Sequence, residues 1–222
     1  MKYTLEIYGA DVIEHYKIML FGPTYEKYAI SCVCYTLESA GLPSTVSLTD
    51  IYAYAALNSP EPCTILAASL HSEFKLNIHS KVKFDGTRFV EEGSIDEVCD
   101  YAIKNSSSTQ PLTIGLSQKI AVNGQQAIVP IDQRQLRINM SGCYSTPNSY
   151  WIGAGYFSNN MEAKAGLVLP TNMVQASNAF LGDRACVQAL TPFTKVDFTQ
   201  GTCLKATYCE TDNLFKISQL TA

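Results

Sequence analysis

Lys119-Ile120-Ala121-Val122-Asn123-Gly124-Gln125-Gln126-Ala127-Ile128 is the stretch on which the fold turns. Two runs with apolar residues flank Asn-Gly, the dipeptide that readily supplies the positive φ angles of a type I′ turn. The stretch therefore predicts a two-residue β-hairpin. Working outward, the chain beyond residue 105 reads as one strand after another. These strands are expected at Leu112 to Ser117, Gln135 to Met140, Tyr150 to Phe157, Gly166 to Leu169, Arg184 to Leu190, Lys195 to Phe198, Cys203 to Cys209 and Leu214 to Gln219. Turn clusters such as Ser145-Thr146-Pro147-Asn148 and Thr211-Asp212-Asn213 separate them. Many short strands at near-regular spacing predict an antiparallel β-sandwich or a jelly-roll-like barrel. Thr171 to Phe180 is the segment expected to interrupt it as a helix.

The preceding half has a different pattern. Lys2 to Tyr8 alternates, with Tyr3, Leu5 and Ile7 on one side, which predicts a half-buried strand ending at Gly9. Thr24 to Ala40 carries apolar residues at three-and-four spacing behind Pro23 and ahead of Gly41 and Pro43, which predicts a helix. Ser47 to Asn58 predicts a second helix, with Ser47 as N-cap and Pro60 past its end. Ser94-Ile95-Asp96-Glu97 has capping-box spacing and predicts a short helix through Ile103. Between them, Thr64 to Leu70, Glu73 to His79 and Lys81 to Phe84 read as strands, with a turn at Asp85-Gly86.

Composition changes at the same place. Residues 1–105 hold 8 basic and 14 acidic residues, whereas 106–222 hold 8 basic and 6 acidic. The second half also has 39 Ser, Thr, Asn and Gln residues, and the run Asn105 to Pro111 at the junction has linker composition. The expectation is an α+β protein: a small mixed α/β domain over 1–105, followed by an antiparallel β-sandwich or jelly-roll-like domain over 106–222. Over all 222 residues only 16% are charged and the net charge is −4, so broad electrostatic contact with nucleic acid is not expected. The apolar runs are far shorter than the ~20 residues that cross a bilayer as a helix, and Met1 to Phe21 is broken by charges unlike a signal peptide. Synthesis in the cytosol follows, with incorporation into a virion or other particle as the further expectation.

Reactive groups are sparse. His71 and His79 are eight residues apart, and on one continuous strand that is about 26 Å, too far for one metal ion. With His15 they complete the histidines, and no metal or cofactor is expected. No serine stands in a G-x-S-x-G context, and Gly153-Ala154-Gly155 lies inside an aromatic run rather than a phosphate loop. No catalytic residue is assigned. The eight cysteines form no C-x-x-C pair and read as reduced, buried thiols, with Cys203 and Cys209 the one pair singled out as able to face each other across adjacent strands.

The aromatic bunch between Tyr144 and Phe157 is the remaining feature. Tyr144, Tyr150, Trp151 and Tyr156, interleaved with amides, are the candidate binding residues, able as exposed rings to stack on sugars or anchor an interface. The competing reading places Trp151 and alternate residues in the core, with Tyr150 and Tyr156 at its edge. Low charge and a polar, uncharged β-rich half suit surfaces that are buried against other subunits. That general character is similar to virion or phage structural proteins and surface-appendage subunits, a likeness of composition and not of motif. The expected function is a non-enzymatic structural subunit, of decoration, tail or minor-capsid type, acting by self-association with copies of itself or other structural subunits. The alternative is a glycan- or protein-binding β-sandwich module. Direct contact with nucleic acid or membrane is not expected.

Overall fold

Tyr3, Leu5 and Ile7 are buried and Thr4, Glu6 and Tyr8 partly exposed, so the alternation at the start of the chain becomes strand β1 (Tyr3–Tyr8). In the computed structural model the described residues are 2–9, 17–22, 28–36, 43–57, 61, 70–95, 99–108, 110–157, 168–171, 174, 187–189 and 191–220. Among them the molecule is nearly all β. The strands are β2 (Lys17–Phe21), β3 (Tyr28–Thr36), β4 (Ser44–Ala56), β5 (Leu70–Lys75), β6 (Ser80–Phe84), β7 (Phe89–Ser94) and β8 (Tyr101–Asn105). They continue with β9 (Leu112–Val122), β10 (Gln125–Leu136), β11 (Ser141–Tyr144), β12 (Ser149–Phe157), β13 (Val168–Pro170), β14 (Val187–Ala189), β15 (Thr194–Asp197), β16 (Cys203–Cys209) and β17 (Leu214–Gln219).

The expected α+β class is therefore overturned, because no helical N-terminal domain is present among the described residues. Tyr28–Thr36, read as the heart of a helix, is strand β3, paired with β2 and β13. Ser47 is no N-cap: it sits inside β4, opposite both Thr4 and Ala121. The physical reason lies in side-chain chemistry and in partners. β4 is rich in Thr, Val, Ile and Tyr, residues that fit a pleated surface, and it is hydrogen-bonded on both sides. Consecutive buried residues at the end of β4, Ala53 to Ala56, imitate a three-and-four spacing. Tyr101–Asn105 is likewise strand β8, while the capping-box acids at 96 and 97 lie outside the described residues. Thr64 to 69 and most of the expected helix at 171–180 also lie outside them.

Three sheets result. The largest runs β10-β9-β4-β1-β16-β17 with β5 added to β4; a four-stranded sheet runs β11-β8-β6-β7; a third runs β13-β3-β2-β12-β14 with β15 added to β12. The hairpin is as expected: Asn123 has φ 47° and Gly124 φ 88°, and β9 and β10 pair from Val122–Gln125 onward. A register shift between Pro130 and Asp132 brings the main chain of β10 against Gly115, where a Cβ would collide with the Asp132 carbonyl. Gly115 is thus required by close approach of backbone.

The expected boundary at residue 105 does not divide these sheets. β4, from before it, pairs with β9, from after it, and β1 pairs in parallel with β16. β6 and β8 likewise share their sheet with β11. One cluster of buried side chains draws on all three sheets, including Leu5, Val46, Ile103, Leu116, Tyr150 and Phe215. Asn105 itself is buried and fully engaged. Its Oδ1 accepts from the Ser107 N–H at 3.0 Å and the Ser107 hydroxyl at 2.7 Å, and its Nδ2 donates to the Leu136 carbonyl at 3.0 Å. The polar run read as a linker begins with this buried clasp.

Candidate interaction surface

The aromatic bunch is divided by the pleat of β12 and its neighbours. Tyr150 is wholly buried: its ring meets Phe198 edge-on at 5.9 Å, and Phe198 stacks on Tyr3 at 4.5 Å. Its hydroxyl donates to Gln118 Oε1 at 2.6 Å. Tyr144, on β11, is also wholly buried, with its hydroxyl donating to the Ile114 carbonyl at 2.7 Å and the Arg134 guanidinium 4.8 Å above its ring. Neither ring offers a face to a sugar or a partner, which removes both from the set of candidate binding residues. Their phenolic groups are what misleads: a buried tyrosine needs a partner for one atom only, and here each has found one. Trp151, one residue on, is half-buried on the opposite face of β12, so the core takes Tyr150 in place of the tryptophan. The side chain of Tyr156 lies outside the described residues.

Among the described residues no group of three or more His, Cys, Asp and Glu side chains is placed to hold a metal ion. His79 occupies the turn before β6 with φ 65°; its N–H donates to the Asp100 carbonyl at 2.7 Å, and its carbonyl accepts from Ile95 at 2.8 Å. It serves as a turn residue whose main chain ties β6 to β8. His71 lies on β5, without a described side chain, and His15 lies outside the described residues.

The cysteines depart from expectation in two respects. Cys203 and Cys209 are the two ends of the single strand β16 and so cannot face each other across adjacent strands. Of the thiols whose side chains are described, Cys143 and Cys203 are exposed and Cys99 and Cys209 half-buried, none of them a core residue. The side chains of Cys99 and Cys143 are neighbours. Burial first, and then the Cys143 thiol beside it, push the Cys99 thiol up to about 11. Cys209 is shifted the other way, chiefly by the Thr211 hydroxyl at 3.2 Å and also by the Asp212 N–H.

Two aspartates hold exposed turns. Asp85 Oδ1 accepts from the N–H groups of Arg88 and Thr87 and from the Thr87 hydroxyl, which lowers its carboxyl to about 2. Asp197 is lowered to about 2 by the Thr199 hydroxyl, then by Lys195 and the Thr199 N–H. It caps the 3-10 turn at Phe198–Gln200. Both groups act on local structure.

What reaches the surface is sheet edge. β7 closes one side of the four-stranded sheet and is exposed from Glu91 onward, interrupted by a register shift and by Gly93 at φ 124°. β17 closes one side of the largest sheet, pairing with β16 in unbroken register. Leu214–Gln219 was legible as a strand from its alternation, but its place at an edge was not, because order within a sheet depends on long-range pairing. No helix among the described residues is long and apolar enough to cross a membrane. No protein-family model, curated protein or solved structure matches this chain.

Proposed function

We propose that this chain is a non-enzymatic structural subunit that works by association with copies of itself or with other structural subunits. A decoration, tail or minor-capsid role in a virion or phage-type particle, entered after synthesis in the cytosol, fits that reading. The observation that carries it is the regular, exposed edge of the largest sheet at β17, on a chain with only 16% charged residues. An open edge presents a row of main-chain donors and acceptors that another strand can satisfy. Low charge reduces the desolvation cost of covering the surrounding surface. With Tyr144 and Tyr150 in the core, the alternative of a glycan platform has lost two of its four rings. Light scattering coupled to size exclusion, across a concentration series, tests the reading. A mass that rises to a multiple of the monomer is expected. A monomer at every concentration up to the solubility limit would overturn it.

A further inference from the structure

We propose that β17 is the self-association surface, and that two copies of the chain join their largest sheets by antiparallel pairing of β17 with β17 about a two-fold axis at Ile217. This rests on the self-association reading above and gives it a residue-level geometry.

The phase of the strand is set by one hydrogen bond. The Leu220 N–H donates to the Cys203 carbonyl at 3.2 Å, and β16 and β17 stay in register from Leu204–Gln219 to Cys209–Leu214. Main-chain groups alternate in direction along an antiparallel strand. Leu220, Ser218, Lys216 and Leu214 therefore turn theirs toward β16, and Phe215, Ile217 and Gln219 turn theirs outward. No described strand pairs with that outer side.

Three other edges carry devices against pairing that β17 lacks. β7 has a register shift, Gly93 and the acids Glu91 and Glu92. β10 has Pro130 beside its own register shift. β11 is only four residues long. β17 has no proline, no shift and a single charge, Lys216, which is ion-paired to Asp212. Charges, bulges, prolines and shortness are how edges are kept apart. β17 shows almost none of them.

Symmetry then selects the register. Only the pairing of Ile217 with its own copy, and Phe215 with Gln219 of the second copy, engages every outward-facing main-chain group at once. It also places Lys216 opposite Ser218 of the second copy. A slip of one pair toward the turn would put Lys216 opposite itself, a like-charge contact that destabilises a cross-strand pair. Phe215 is buried and Ile217 packs against the core, so the two cores would continue beneath the joined sheets. Strand pairing alone covers less than the ~1,200 Å² of a standard stable interface. The association is therefore reversible and concentration-dependent.

Sedimentation velocity on the full chain tests this with exposed Ser218 and with Ile217. Ser218→Lys sets a lysine against Lys216 of the second copy and is expected to weaken dimerisation by about tenfold, whereas Ser218→Glu is expected to tighten it, both differences shrinking in high salt. Ile217→Pro removes an N–H that faces away from β16 and is expected to abolish pairing, with circular dichroism reporting whether it still folds. Opposite shifts for the two Ser218 variants support the β17 pairing even if the proline variant misfolds. A wild-type chain that associates while both Ser218 variants behave alike would overturn the β17 geometry and leave self-association standing. A wild-type chain that stays monomeric throughout would remove both.

Discussion

Tyr150 donates its phenolic hydrogen to Gln118 Oε1 across 2.6 Å, and both side chains are sealed from solvent between β12 and β9. Gln118 in turn directs its Nε2 toward the Thr49 carbonyl at 3.5 Å, at the register shift where β4 passes β9. A polar chain thus crosses the core and links a strand of the third sheet to two strands of the largest one. Removing the Tyr150 hydroxyl leaves Gln118 Oε1 buried without that donor.

Tyr150→Phe is accordingly expected to destabilise the fold by about 1–3 kcal/mol, the cost of a buried acceptor left unsatisfied. Urea denaturation monitored by the fluorescence of Trp151 would measure it. Tyr150→Phe combined with Gln118→Leu should recover part of the loss, since both polar groups then go. Equal stability of Tyr150→Phe and wild type would show that the hydroxyl contributes nothing there.

Asn105→Ala is expected to cost about 2–3 kcal/mol, because the Leu136 carbonyl and the Ser107 N–H lose their partner inside the fold. The same region predicts the result of proteolysis. A cut between residues 105 and 111 leaves β4 on one fragment and β9 on the other, so neither fragment should keep the largest sheet. Circular dichroism of the separated fragments checks this. Two independently folded pieces would contradict the shared sheet.

The thiols should differ in reactivity. At pH 7.5 Cys209, whose thiolate is favoured by Thr211 and the Asp212 N–H, is expected to alkylate well ahead of Cys99, which burial and Cys143 hold protonated. A mass-spectrometric time course with iodoacetamide resolves the two sites. Thr211→Val should slow Cys209 and leave Cys99 unchanged. Similar rates at both sites in the native protein would be inconsistent with this arrangement.

Acid should act through Asp85 and Asp197. Each has a folded value of about 2 against an ordinary 3.8, so each contributes stability above about pH 4 and loses it as pH falls through 2. Asp85→Ala with Asp197→Ala should lower Tm at pH 6, and the gap from wild type should narrow between pH 4 and pH 2. Asp85 is exposed and Asp197 partly so, and the effect is small and local. A gap that stayed constant over that range would mean that charge plays no part.

Much of the strand content was readable from residues alone, and the reason is local. Asn123-Gly124 admits the positive φ angles of its hairpin, and alternation marks Tyr3–Tyr8, Ser80–Phe84, Cys203–Cys209 and Leu214–Gln219, whose two faces meet different surroundings. Where both faces are covered, that signal disappears. Ser44–Ala56 alternates in burial over its first half and is buried at consecutive residues only from Ala53 to Ala56, and it is this apolar end that imitates a helix. The change of composition near Asn105 was real, yet it does not divide the sheets, since β1 and β4 find their neighbours in β16 and β9 more than fifty residues away. Sequence likewise located a tyrosine-rich strand but not the side of it that faces the core. Which rings are buried, which thiols meet and which strand is left at an edge are properties of long-range pairing. No local pattern encodes them, because each depends on what the rest of the chain places alongside.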